Sequence, residues 1–127
     1  MRMLFFLMLL TILSDGAYAD WKKITSNKFS TYYIDVNRTR RMSKNVVRTW
    51  ILADNKFLSG GKDYLSDIRL IELDCYQQAV RELASTDYSG AMGTGSRIRS
   101  SNFITNWDFA PPNSSMEDML SFGCSIR

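Results

Sequence analysis

The chain has 127 residues, 45% of them hydrophobic, and a formal net charge of +3. That length suits one domain with one core, and the mild basicity is too weak to indicate a nucleic-acid partner. It contains no histidine, which removes Ser-His and Cys-His nucleophile pairs and most zinc sites together.

The first 19 residues read as a signal peptide. Arg2 supplies a positive start, Leu4 to Leu13 an apolar run too short to span a bilayer, and Ala17-Tyr18-Ala19 a small-x-small cleavage site. The expected mature domain covers 20–127, exported to the periplasm or the cell surface. No cysteine follows the apolar run, so no lipid anchor is expected, and no later stretch is long and apolar enough to be a transmembrane segment. Losing Arg2 and Asp15 with the signal leaves the net charge unchanged.

Trp21 to Thr25 predicts a strand, Ser26-Asn27-Lys28 a turn, and Phe29 to Ile34 a second strand rich in aromatic and β-branched residues. Asp35 to Lys44 is polar and reads as a connection. Val46 to Ala53 is apolar on both faces of a period-2 pattern, as in a central strand covered on both sides. Asn55 to Asp63 is a loop around Ser59-Gly60-Gly61. The strand Ile68 to Cys75 follows, with a phase shift between Leu70 and Ile71 that suggests a bulge or two-sided burial. Gln77 to Ala84 leaves helix and strand open: its propensity is helical, and Tyr76, Val80 and Leu83 fit a helical stripe.

Gly90 to Gly95 is a turn before a short strand at Ser96 to Ser100. Pro111-Pro112-Asn113 halts the chain. A helix then begins, with Ser114 and Glu117 spaced as a capping box and Met116, Met119 and Leu120 as its apolar stripe.

Two cysteines, Cys75 and Cys124, lie far apart with no CxxC spacing, which argues against a redox or zinc motif. In an exported chain they can pair, and the bridge would be worth about 4 kcal/mol in the chain-entropy model.

The enzyme reading lacks parts. Ser59-Gly60-Gly61-Lys62 matches S-x-x-K, but two intervening glycines make a loop where that chemistry needs a helix start. Gly93-Thr94-Gly95 lacks the residues of a phosphate loop and reads as a plain turn. Asp63, Asp67, Glu72 and Asp74 are neither clustered for calcium nor paired for acid–base work. No cofactor and no metal is expected. Trp50 and Trp107 are expected in the core. The one charge cluster, Arg38, Arg40, Arg41 and Lys44 with Arg48 nearby, can attract acidic surfaces or remain a solvated connection.

Taken together, several stretches resemble the bacterial surface-adhesin protein E-like family. They are Trp21, Tyr32 to Asp35, Val47 to Asp54, Ser66, Glu72 to Cys75, Tyr88 to Gly93, Trp107, Pro112-Asn113-Ser114, Glu117 and Cys124. The resemblance implies an α+β fold: a six-stranded antiparallel sheet, a C-terminal helix, and a Cys75–Cys124 disulfide tying one to the other. It also implies that Gln77 to Ala84 is a strand. For function it implies a non-catalytic module that binds proteins, host matrix proteins among them, and can form a homodimer; it carries no binding site across, and Arg38, Arg40, Arg41 and Lys44 are the first candidates for contact on the ground of their charge alone. The alternative is a soluble periplasmic protein that inhibits or scaffolds an envelope enzyme.

Overall fold

The computed structural model describes residues 20–58 and 62–126, so the expected signal peptide and Ser59-Gly60-Gly61 lie outside the described residues. Six antiparallel strands form the body of one sheet. They are β1 (Trp21–Ser26), β2 (Ser30–Asp35), β4 (Val46–Asn55), β5 (Ser66–Asp74), β6 (Ala79–Tyr88) and β7 (Arg97–Ser101), hydrogen-bonded in the order β1-β2-β4-β5-β6-β7. Two further strands of two residues each, β3 (Arg40–Arg41) and β8 (Asp108–Phe109), pair with β4 and β6. Helix α1 (Ser115–Ser125) closes the fold, linked to the sheet by the Cys75–Cys124 disulfide.

The central strand behaves as its pattern requires. Along β4, Val47, Thr49, Ile51 and Ala53 face the helix, while Leu52 is fully buried on the other side. The helix side holds the core: Ile34, Val47, Ile51, Ile71, Leu73 and Val80 from the sheet meet Met119 and Leu120 from α1. Each such large apolar side chain contributes roughly 1.5–3 kcal/mol on burial.

On the opposite face, the turn after β6 takes the place of a second helix. The Ser66 hydroxyl donates to the Gly90 carbonyl at 2.6 Å and accepts the Gly93 N–H at 2.8 Å, and Asp54 accepts the Met92 N–H at 2.8 Å. Gly93, at φ +71°, is pressed so close that a Cβ there would stand 2.9 Å from Ile68 Cδ1. The turn thereby covers Leu52 and Ile68, and a left-handed glycine is what lets the backbone come that near.

Two sequence expectations change, and two open readings are resolved. Asp35 to Lys44 is not wholly irregular, because it contains a 3-10 turn (Val36–Arg38) and β3. The phase shift at Leu70/Ile71 is the bulge it suggests, with the extra residue on the neighbouring strand: Leu70 faces Ala84 and Ile71 faces Glu82, leaving Leu83 over. Gln77 to Ala84 is turn and strand, with pairing to β5 on one side and to β8 on the other prevailing over local helix propensity. Neither tryptophan is in the core: Trp50 is half-buried and Trp107 is 37% exposed.

The helix starts as expected, with the Ser114 side chain accepting the Glu117 N–H at 3.2 Å. It sits unusually close to the sheet. A Cβ on Gly123 would collide with the side chain of Leu73, which is fully buried. Gly123→Ala should therefore destabilise the fold by about 1–3 kcal/mol, against its gain in helix propensity, as urea unfolding would show. Removing the bridge with Cys75→Ser and Cys124→Ser, which frees a sequence separation of 49 residues, should cost about 4 kcal/mol in the same assay.

Candidate functional site

The basic cluster is placed by the end of β2. Asp35, almost wholly buried, accepts the Arg38 N–H at 3.3 Å and so caps the 3-10 turn. Thr39 then donates to the Asp35 carbonyl at 2.8 Å, and its hydroxyl meets that of buried Thr49 at 2.7 Å. These bonds bend the chain so that β3 lies against the lower half of β4, with Arg40 opposite Arg48 and Arg41 opposite Val47.

Registers across the next strands extend that pairing. Arg48 faces Glu72 on β5, and Glu72 faces Arg81 on β6, so Arg40, Arg48, Glu72 and Arg81 form one cross-strand row on the face away from α1. Glu72 is 4% exposed and holds both neighbours. Its Oε2 accepts from Arg48 Nε at 3.3 Å and Nη2 at 3.1 Å, and its Oε1 from Arg81 Nε at 2.9 Å and Nη2 at 2.6 Å. The Arg81 guanidinium lies 4.6 Å from the centre of the Trp107 ring, a cation–π contact that ends the row.

Arg38, Arg40 and Arg48 line a groove of about 300 Å³ with Trp50 and Leu70. Arg38 is held near Asp35, Nε to Oδ2 at 3.7 Å, whereas Arg40 has no ion-pair partner among the described residues. The structure thus brings together only two of the four sequence candidates. Arg41 turns away, donating from Nη1 to the Lys44 carbonyl at 3.0 Å, and Lys44 sits exposed in the turn beyond. Glu72, Arg81 and Leu70 were not legible as partners, because only strand register places them beside the cluster.

The other motifs resolve into structure. Asp74 accepts the N–H groups of Tyr76 and Gln77 in the β5–β6 turn, and Asp67 accepts from Arg69 at 2.7 Å. Asp63 pairs with Arg99, whose hydrogen bond holds the Asp63 carboxyl below its usual range. Lys62 lies 5.5 Å above the Tyr64 ring. No set of three His, Cys, Asp or Glu side chains that could hold a metal occurs among the described residues, and no described helix is long and apolar enough to cross a membrane.

This architecture is that of an antiparallel sheet with one stapled helix, and comparison with known proteins gives it a family. The family model for surface-adhesin protein E matches residues 21–125, and the chain belongs to that family. Two solved structures of Haemophilus influenzae protein E share the fold. One, crystal form II, aligns with a TM-score of 0.64 at 13% identity over 85% of this chain and 89% of that one. The other gives 0.62 at 14% identity, over 85% and 86%. No curated protein matches the sequence.

Glu72 is the residue on which the arginine row depends. Replacing it with Gln removes the charge shared by two guanidiniums and should destabilise the fold by about 1–3 kcal/mol, measured by denaturant unfolding. A loss below about 0.5 kcal/mol would show the row to be solvated surface.

Proposed function

We propose that this chain is an exported, non-catalytic binding module that recognises an acidic surface on a protein partner through the groove beside β3. Host matrix proteins are the first class to test. The observation that carries this reading is the convergence of Arg38, Arg40 and Arg48 on a groove with Trp50 and Leu70 in its wall. Arginine and tryptophan are the residue types in which protein interfaces concentrate their affinity once a partner covers them.

Charge count supports an anionic partner. Arg38, Arg40, Arg48 and Arg81 are balanced locally only by Asp35 and Glu72. Unpaired Arg40 can offer a bidentate fork to a carboxylate, and exposed Arg41 and Lys44 extend the positive field for long-range steering. Membership in a surface-adhesin family supports protein binding as the task, and the signal-like residues 1–19 support export.

The test is binding of the mature protein to a panel of immobilised matrix proteins at low and high salt. Arg38→Ala, Arg40→Ala and Arg41→Ala combined should weaken binding at least about tenfold and flatten its salt dependence. Unchanged affinity and salt slope would remove the groove from the interface. Protease shaving of intact cells tests the compartment: cleavage of the chain supports a surface role. Protection until the outer membrane is opened supports the periplasmic reading, in which the partner is an envelope enzyme.

A further inference from the structure

A second concavity lies on the helix side of the sheet, away from the arginine row. It has a volume of about 360 Å³ and opens between α1, the sheet and the stretch joining β7 to β8. That size falls in the range of small-molecule sites. Tyr32, Ile51 and Ile71 give it an apolar floor, and Met116 and Met119 an adaptable wall.

Its charged groups are mostly carboxylates. Asp67, Glu82 and Asp108 line it against the single guanidinium of Arg69. Arg81 also borders it, but that side chain crosses to the other face and is bound to Glu72. Arg69 is already committed, donating from Nε to Asp67 Oδ1 at 2.7 Å with Nη1 3.8 Å from Glu82 Oε2. An anionic ligand would therefore meet three carboxylates against one guanidinium, and a neutral one would leave that excess of negative charge unmatched.

Asp67 adds an independent sign. It is 1% exposed, yet only its Oδ1 accepts a hydrogen bond from a described residue. Burial pushes its carboxyl up from the usual range even though Arg69 opposes the shift. The other oxygen, on the wall of a cavity, is open to a donor from a ligand or from water. The Glu82 and Asp108 carboxylates, standing toward solvent, likewise accept no hydrogen bond from a described side chain.

We propose that this cavity binds a small amphiphilic amine, its ammonium among Asp67, Glu82 and Asp108 and its apolar body against Ile51, Met116 and Met119. The ligand class follows from charge balance and from the apolar walls together. Neither the family nor the groove by β3 requires such a site, so the two readings stand or fall separately.

The experiment is a titration of the mature protein with octylamine, octanol and octanoate, each below its aggregation concentration. The methyl carbons of Met116 and Met119 serve as reporters by NMR. Octylamine should shift both methyls saturably and bind at least about tenfold tighter than octanol, with octanoate weakest. Glu82→Gln and Asp108→Asn together, both nearly isosteric, should erase the preference for octylamine over octanol while leaving the fold's spectrum intact. Absence of saturable shifts at these methyls, equal binding of the three probes, or a preference that survives both substitutions would overturn the proposal.

Discussion

The close docking of α1 on the sheet is the constraint from which the rest of the structure follows. Gly123 lets the helix backbone rest directly on Leu73, and the next residue, Cys124, is bonded to Cys75 at the end of β5. A small domain with one helix has little apolar surface to bury, so a covalent link that limits the unfolded chain replaces part of the missing core. With the helix fixed there, Ile34, Ile51, Leu73 and Leu120 define a single inside. On the other face the Gly90 to Gly93 turn covers Leu52 and Ile68, Trp107 lies over Arg81, and the arginine row carries charge beside them.

This division explains why the family-like residues are of two kinds. Ser66, Asp54, Gly93, Asp35 and Thr49 fix backbone at turns and strand ends through hydrogen bonds or close approach. Arg48 and Glu72 sit instead on the open face, joined to each other and to Arg81. Buried ion pairs add little net stability against a well-packed apolar alternative, since both partners lose water. Here the arginines remain partly exposed, with side-chain exposures of 40% and 34%, so the row keeps part of its hydration while Glu72 orients it.

Much of the fold was legible in the sequence because it rests on local pattern. Two-sided apolar alternation marked β4, the Ser114–Glu117 spacing marked the start of α1, and the phase change at Leu70 marked an irregular register. What escaped depends on residues far apart in the chain. Gln77 to Ala84 has the composition of a helix, and only the family resemblance pointed to the strand that it forms between β5 and β8. Strands of two residues, such as β3 and β8, carry no periodicity to read. Trp107 looked like core by its size, but it stacks on Arg81 at the surface, a contact invisible until register is known. The same holds for the candidate site: the cluster Arg38 to Lys44 was visible as composition, whereas its division into groove-facing and outward-facing members needed the β3–β4 pairing.

Cations at the open edges of the sheet have a role that owes nothing to ligands, since they discourage strand addition by another chain. Lys22 and Lys23 lie on β1 and Arg97 and Arg99 on β7, the two ends of the strand order. Most relevant is how their charges are occupied. Lys22 sits 5.3 Å above the Phe122 ring, and Arg99 is tied to Asp63 and Asp87. Arg40 on β3 differs from both: it has no such partner among the described residues and lines a groove beside Trp50 and Leu70. Edge protection alone would be served by charges pointing into water. A guanidinium left unpaired beside an indole and a leucine, with two more guanidiniums converging on it, suits the anionic partner proposed for this chain. That distinction within the basic residues, rather than their number, is the physical ground on which recognition is proposed at β3.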